Sequence, residues 1–286
     1  MTVYPFALHV GPLELTGYGL MMMVAFLMAG WAIQLDLRAR SMDEDYAADI
    51  VIAGVIGGLV GAKLWYVMLT QDVGMLFTRG GFVWYGGFLG ATGAILLNGW
   101  RRRVPARFTA EICAAPLALG YALGRVGCFL VNDDYGIPSS LPWAMKFPNG
   151  LPPTTVVNLQ QMGVHFPMNT DPMQLMAVHP TEIYETGAML FVFWLLWRRR
   201  EHAHAIGWLW ALYMVLAGAE RFLVEIVRAK DDRLRWLAPF SLAQATSVLI
   251  MIVGGVLLYV WRSPATAAAP PFPESLRPKQ RVAPSA

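Results

Sequence analysis

Seven apolar stretches recur along the chain, each close to the length of one membrane crossing. About 20 apolar residues in a helix cross the hydrocarbon core of a bilayer, where a helix satisfies its own backbone hydrogen bonds. We therefore expect an all-α integral membrane protein with about seven transmembrane helices. The predicted spans are 17–35, 50–70, 83–100, 108–131, 180–198, 205–227 and 241–262.

Charged residues are scarce. Of the 286 residues, 56% are hydrophobic and only 14% are charged, and the mean hydropathy is +0.46. This composition excludes an ordinary soluble domain. The net charge of +3 is small, and basic residues of membrane proteins collect at cytoplasmic helix ends, so we expect no nucleic-acid partner.

The basic residues predict the orientation in the membrane. "DLRAR" follows the first span, "RRRVPAR" the third and "RRREHAH" the fifth, and Arg262 follows the seventh. By the positive-inside rule these segments face the cytoplasm, which places the N-terminus outside and the C-terminus inside. The loop 228–237 is basic yet falls outside, so either the sixth helix is misplaced or these charges act at the outer surface.

The domain organisation is simple. Residues 1–263 are predicted to form one membrane-embedded domain, in which 131–178 make a periplasmic loop or cap without a further helix. The tail 264–286 is rich in Pro and Ala, and we expect it to be disordered and cytoplasmic. No internal repeat stands out, which disfavours a transporter built from two symmetric halves.

Ionisable side chains gather in the predicted outer half of the membrane region. Such groups are costly in hydrocarbon, so each is a candidate functional residue, and we expect them to line one polar pocket. The group comprises Lys63, Arg125, Asp133, His179, Glu182, Glu185, Glu220, Arg221, Glu225 and Arg228, together with Tyr18 and Tyr85.

The predicted sixth helix carries Arg221, Glu225 and Arg228 at positions i, i+4 and i+7, which share one helical face. Arginine keeps its charge and binds phosphate through two N–H groups. Arg221 and Arg125, on different helices, therefore suggest a clamp for a phospholipid headgroup.

Structural explanations of these residues stay open. Arg228 at a helix end could extend to the membrane interface, and Glu185 and Glu225 could be ion-pair partners only. Tyr18 and Tyr85 could be interfacial aromatics. Cys128 could be a small packing residue, and the glycines could permit close helix packing.

"GRVGCFLVNDDYG", residues 124–136, resembles the signature G-R-x-G-N-F-x-N-x-E-x-x-G of the bacterial prolipoprotein diacylglyceryl transferases. Four further segments resemble motifs of the same family, in the same order and with similar spacing, from about residue 11 to 255. They are "YGLM" at 18–21, "YGGFLG" at 85–90, "VHPTEIYE" at 178–185 and "RFLVEIVRAKD" at 221–231.

The resemblance implies an enzyme of the bacterial inner membrane whose active site faces the outer leaflet and periplasm. Members of the family transfer the diacylglyceryl group of phosphatidylglycerol to the lipobox cysteine of a prolipoprotein and release glycerol phosphate. The implied partners are phosphatidylglycerol, the signal-peptide and lipobox segment, and membrane lipids. No cofactor or metal is implied.

The resemblance also implies roles for individual residues. Arg125 and Arg221 would hold the phosphate and stabilise the charge that grows on it. Tyr18 would line the lipid site, and Asp133 would replace the glutamate of the signature. The remaining substrate-side positions are Lys63, Cys128, Gly136, Glu182, Tyr184, Glu185, Glu225 and Arg228.

Three departures leave the proton acceptor open. The family has histidine at Tyr85, asparagine at Cys128 and arginine at Lys63. The candidates are His179, Tyr85 as a phenolate, or no protein base, with Arg125 or Lys63 stabilising the acceptor thiolate. We also expect Tyr85 and Cys128 to share the arginine cavity if they compensate for each other.

Two alternative functions follow. A catalytically altered relative would bind phospholipid or lipoprotein precursor without transfer, as the missing histidine and asparagine favour. A small-solute transporter or a seven-helix receptor would explain the helix count but not the five motifs at one membrane face.

Overall fold

The computed structural model describes residues 1–10, 13–78, 80–229, 240–263 and 273–277. This part of the chain is mostly helical, with a helix at each of the seven predicted spans. The long helices are α1 (Gly17–Ala39), α2 (Asp45–Thr70), α3 (Trp84–Arg101), α4 (Ala106–Val131), α6 (Thr181–Arg199), α7 (Trp208–Val224) and α8 (Leu242–Val260), and α5 (Val156–Gln161) is short.

Four of the described helices, α1, α2, α4 and α8, are long and apolar enough to cross a membrane by length and composition. Many of their large apolar side chains face outward, including Leu27 on α1, Ile56 on α2 and Leu249 on α8. Outward-facing apolar side chains are expected where helices contact lipid. The helical fold therefore agrees with the predicted all-α membrane protein.

The structure also contains small elements that were not predicted. Strands β1 (Ala7–Val10) and β2 (Leu13–Thr16) form an antiparallel hairpin before α1. The predicted cap contains α5, contrary to the expectation of no further helix. Tyr135 stacks on Phe147 at 5.6 Å inside the cap, and its hydroxyl donates to the carbonyl oxygen of Pro152 at 2.7 Å.

Helix α4 lies at the centre of the bundle, packed against α1, α6 and α7. Its buried alanines, from Ala114 to Ala122, meet apolar residues of α6 and α7 such as Met189 and Leu209. Helices α2 and α3 pack mainly on each other, and α8 packs on α7. The end of α4 is therefore surrounded by other elements, which favours a buried site there.

The basic loops meet at one end of the bundle. Arg40 donates to the carbonyl oxygen of Arg200 at 2.9 Å, and Arg107 donates to that of Ile206 at 2.5 Å. Leu276 of the tail is fully buried among the apolar residues at this end, and its carbonyl oxygen accepts from Asp43 at 2.7 Å. Residues 273–277 thus depart from the predicted disordered tail, because one apolar side chain anchors them.

The N-terminal segment and the cap lie together at the end of α4. The Val3 amide donates to the carbonyl oxygen of Lys146 at 3.0 Å, and the Phe6 amide donates to that of Leu130 at 2.7 Å. The cap and the N-terminus therefore share one end of the bundle.

The prediction that the sixth helix continues through Arg228 is wrong. Helix α7 ends at Val224, and a turn leads to Arg228, which pairs with Gly136 in an antiparallel bridge. The Ile137 amide donates to the Val227 carbonyl oxygen at 2.8 Å. The segment after α7 therefore forms a hydrogen bond with the cap instead of continuing the helix. Most of the predicted outer loop 228–237 lies outside the described residues.

Close packing of α2 on α3 depends on glycine. A Cβ at Gly90 would overlap the carbonyl oxygen of Gly57 and lie 2.8 Å from the Cα of Gly61, whereas one at Gly93 meets nothing within 4 Å. We expect Gly90→Ala to destabilise the protein by about 1–3 kcal/mol through overpacking and Gly93→Ala to have little effect. The thermal unfolding midpoint in detergent measures both, and equal midpoints for the two variants would contradict this packing.

Candidate active site

Asp134 is held between two arginines from different parts of the chain. Arg125, near the end of α4, donates through Nη1 to Asp134 Oδ2 at 2.8 Å. Arg228, beyond α7, donates through Nε to Asp134 Oδ1 at 2.9 Å, and its Nη2 contacts both carboxylate oxygens. One carboxylate therefore joins α4, the cap and the segment after α7.

Arg125 also pairs with Glu185 on α6. The Glu185 side chain is 1% exposed, and its Oε1 accepts from the hydroxyl of Tyr121 on α4 at 3.3 Å. Arg125 thus lies between two carboxylates in a nearly buried position.

A second pair joins α7 to α8. Arg221 Nη1 lies 2.7 Å from Glu225 Oε2, and the hydroxyl of Ser241 donates to Glu225 Oε1 at 3.0 Å. The same hydroxyl caps α8 by accepting from the Gln244 amide at 3.1 Å. The Arg221 side chain is 24% exposed, twice the value for Arg125, so it is the more accessible of the two.

A cavity of about 510 Å³ opens beside Asp134. Tyr18 on α1 packs against α4 next to Cys128, because a Cβ at Gly127 would lie 3.2 Å from the Cα of Tyr18. Tyr18 is also within electrostatic range of Cys128 and Asp133. The cavity is lined by Cys128, Asp133, Asp134, Tyr135, Gln161, Met162, Arg228 and Ala229.

The adjacent aspartates have opposite electrostatic environments. Burial opposes ionisation of Asp134, but Arg228 and Arg125 outweigh it and lower the pKa of this carboxyl. Burial raises the pKa of Asp133, and the neighbouring Asp134 raises it further. Asp134 is therefore the firmly ionised member of the pair.

Two further carboxyl groups lie near this cluster. Glu182 on α6 is fully buried, and Glu220 on α7 is 7% exposed. Both Glu182 oxygens and Oε1 of Glu220 lack a hydrogen-bond partner in the described part of the chain.

His179 belongs to a hydrogen-bonded group next to the cluster. The Trp143 indole donates to the Tyr184 hydroxyl at 2.7 Å, and that hydroxyl lies 3.2 Å from His179 Nδ1. Burial lowers the pKa of His179. His179 is absent from the residues that line the cavity described above.

Tyr85 and Lys63 do not join the arginine cluster in the described part of the chain. The Tyr85 ring packs edge-on against Trp84, with centroids 5.3 Å apart, and is 58% exposed. Lys63 Nζ donates to the carbonyl oxygens of Thr78 and Gly80, each at 2.6 Å. The expectation that Tyr85 shares the Cys128 cavity is therefore wrong for this structure, because α3 packs on α2 rather than on the end of α4.

Sequence reasoning missed Asp134, Tyr121 and Ser241. Asp134 directly follows Asp133 in the signature-like segment, and the available signal was only that two carboxylates were adjacent. Nothing in the sequence distinguished Tyr121 from other tyrosines in apolar helices, or Ser241 from an ordinary helix cap.

Gly136 has no room for a side chain. A Cβ there would overlap the Val227 carbonyl oxygen and lie 2.8 Å from the Cβ of His179, whereas a Cβ at Gly187 on α6 meets nothing within 4 Å. We expect Gly136→Ala to lower the unfolding midpoint, at a cost of about 1–3 kcal/mol, by forcing the cap away from the segment that carries Arg228. Gly187→Ala is the matched control. Equal unfolding midpoints for Gly136→Ala and Gly187→Ala would contradict the close approach of Gly136 to Val227 and His179.

Comparison with known proteins identifies the family of the chain. A family model described as prolipoprotein diacylglyceryl transferase matches residues 5–261. Proteins named phosphatidylglycerol–prolipoprotein diacylglyceryl transferase from Burkholderia mallei (strain SAVP1) and Burkholderia thailandensis are each 32% identical over 282 residues, covering 90% of this chain and 94% of the relative. The chain therefore belongs to the prolipoprotein diacylglyceryl transferase family.

Proposed function

We propose that this protein transfers the diacylglyceryl group of phosphatidylglycerol to the cysteine thiol of a prolipoprotein, releasing glycerol phosphate. The observation that carries the proposal is the cavity beside Asp134, where Arg125 and Arg228 bind one carboxylate from two sides. A phosphodiester carries the same single charge and offers two oxygens, so it suits the same arginines.

The arginines would act on the bond that breaks. When the glyceryl carbon leaves the phosphate oxygen, the phosphate changes from a monoanion to a more highly charged monoester. Arg125 and Arg228 are held nearly buried, with side chains 12% and 13% exposed. Fixed positive charge in a water-poor site stabilises such developing charge without reorganisation.

Arg221 would complete the clamp from the α7 side. It is oriented by Glu225, which Ser241 fixes in turn. Because Arg221 is more exposed than Arg125, it is suited to reach a lipid headgroup that approaches from the bilayer.

We further propose a multi-pass protein of the bacterial inner membrane, with seven crossings and the arginine cluster facing the outer leaflet. The basic loops meet at the end of the bundle opposite to the cap, and basic segments of membrane proteins prefer the cytoplasm. This orientation would place the cavity where secreted prolipoproteins are accessible.

A second candidate is a relative that binds phospholipid or lipoprotein precursor without transfer. Tyr85 replaces the family's histidine and does not line the cavity beside Asp134. The ring of His179 is engaged by Tyr184. The site would then hold an anionic headgroup without removing a proton from a thiol.

Arginine variants test the proposed transfer. We expect Arg125→Ala and Arg221→Ala each to lower the transfer rate about 10²-fold or more, because each removes charge stabilisation from the leaving phosphate. Lysine should restore only part of the rate, since it lacks the planar fork. The measurement is prolipoprotein mobility in a strain depleted of its own transferase, with initial rates from isolated membranes.

Arg38→Ala is the matched control, because Arg38 pairs with Glu44 on the exposed surface at the other end of the bundle. It should complement like the parent protein. Unchanged rates in Arg125→Ala and Arg221→Ala at normal expression would contradict the phosphate clamp.

A further inference from the structure

The cavity beside Asp134 is lined by a second carboxylate, that of Asp133, which differs from Asp134 in its ion pairs. Asp133 lines the cavity next to Asp134. No arginine in the described part of the chain forms an ion pair with Asp133, whereas Asp134 is held by two. The two adjacent carboxylates in this cavity can therefore have different chemical roles.

A thiol already lies beside Asp133. Cys128 lines the same cavity as Asp133, and Cys128 Sγ lies 3.5 Å from Arg125 Nη1. The site thus accommodates a sulfur atom between a carboxylate that can accept its proton and a guanidinium that can stabilise its negative charge.

We infer that Asp133 is the proton acceptor for the thiol of the incoming peptide cysteine, while Asp134 holds Arg125 and Arg228 for the phosphate. This inference rests on the proposed transferase function. It deepens that function by naming the base that Tyr85 and His179 do not supply from this cavity.

The step balances in atoms and charge. The S–H proton passes to an Asp133 carboxylate oxygen, and the sulfur lone pair attacks the glyceryl carbon bonded to the phosphate oxygen. The carbon–sulfur bond forms as the carbon–oxygen bond breaks, and its electron pair stays on the phosphate oxygen of the departing glycerol phosphate. Protonated Asp133 then returns its proton to water.

The electrostatic environment supports different roles for Asp133 and Asp134. Burial and then the charge of Asp134 raise the pKa of Asp133, which makes its carboxylate a stronger proton acceptor at neutral pH. Paired acid groups whose pKa values are pushed apart commonly take separate roles in a mechanism. The charged and titratable groups facing Asp133 are Tyr18 from α1, Arg125 and Cys128 from α4, the neighbouring Asp134, and Arg228 across the cavity.

The test is the pH dependence of transfer by the purified full chain in vesicles containing phosphatidylglycerol, with a lipobox peptide as acceptor. The parent protein should have a kcat that changes little between about pH 6.5 and 8.5, because with Asp133 as the proton acceptor the peptide thiol need not ionise before it reacts. In Asp133→Asn the rate should follow the fraction of peptide thiol that ionises unaided, with a thiol pKa near 8.5. We therefore expect a deficit of about 10²-fold or more at pH 6.5, shrinking as pH rises, with an unchanged KM for phosphatidylglycerol.

A peptide carrying selenocysteine in place of cysteine provides a bypass. Its selenol is ionised at neutral pH and needs no base, so it should restore most of the Asp133→Asn rate. Asp134→Asn is the comparison variant: it should raise the KM for phosphatidylglycerol and keep the flat pH profile. Asp133→Glu, which retains a carboxylate, should also keep that profile even if its rate is lower.

Three results would overturn the inference. They are a parent-like kcat for Asp133→Asn at pH 6.5, a deficit that is equal at every pH and with the selenocysteine peptide, and a sloping profile in Asp133→Glu. If the parent protein itself transfers nothing, the proposed function fails, and the role of Asp133 fails with it.

Discussion

The ion pairs around Asp134 and Arg125 hold the functional end of the molecule together. Asp134 joins Arg125 of α4 to Arg228 beyond α7, and Arg125 also binds Glu185 of α6. Removing one partner from a buried ion pair costs about 3–5 kcal/mol, because the other charge remains buried and uncompensated. The three parts of the chain are therefore held in position by charges that a ligand can also use.

Hydrogen bonds of the backbone around this network restrict the positions of its side chains. The Gly136 amide donates to the His179 carbonyl oxygen at 2.8 Å, and the Thr181 hydroxyl donates to the Asp134 carbonyl oxygen at 2.7 Å. These bonds fix the loop after α4 to the start of α6. A phosphate that entered the cavity would find its donors already oriented, which lowers the entropy cost of binding.

The bilayer-length apolar stretches were sufficient to predict the seven long helices, but not α5 or the hairpin of β1 and β2. Helix α7 was predicted too long because apolar character continues past Val224, while its true end depends on pairing between Val227 and the cap. Such pairing between distant segments leaves no periodic signal in the sequence.

Only part of the site was predictable, because contacts between distant segments also determine which side chains meet. Arg125 pairs with Glu185, and Arg221 pairs with Glu225. The carboxylate between Arg125 and Arg228 is Asp134, which was not among the predicted site residues. Tyr85 and Lys63 were placed in the site by their motifs, yet α2 and α3 pack mainly on each other. A motif therefore indicates the region of the fold in which a residue lies, but helix packing determines which residues it contacts.

The most direct test is transfer by the purified protein from phosphatidylglycerol to a lipobox peptide, followed by the peptide mass and the glycerol phosphate released. We expect the two products to appear in equal amounts, and neither to form with a peptide that has serine in place of cysteine. Saturable binding of phosphatidylglycerol with an unmodified peptide and no glycerol phosphate would contradict the transferase and favour the binding-only relative.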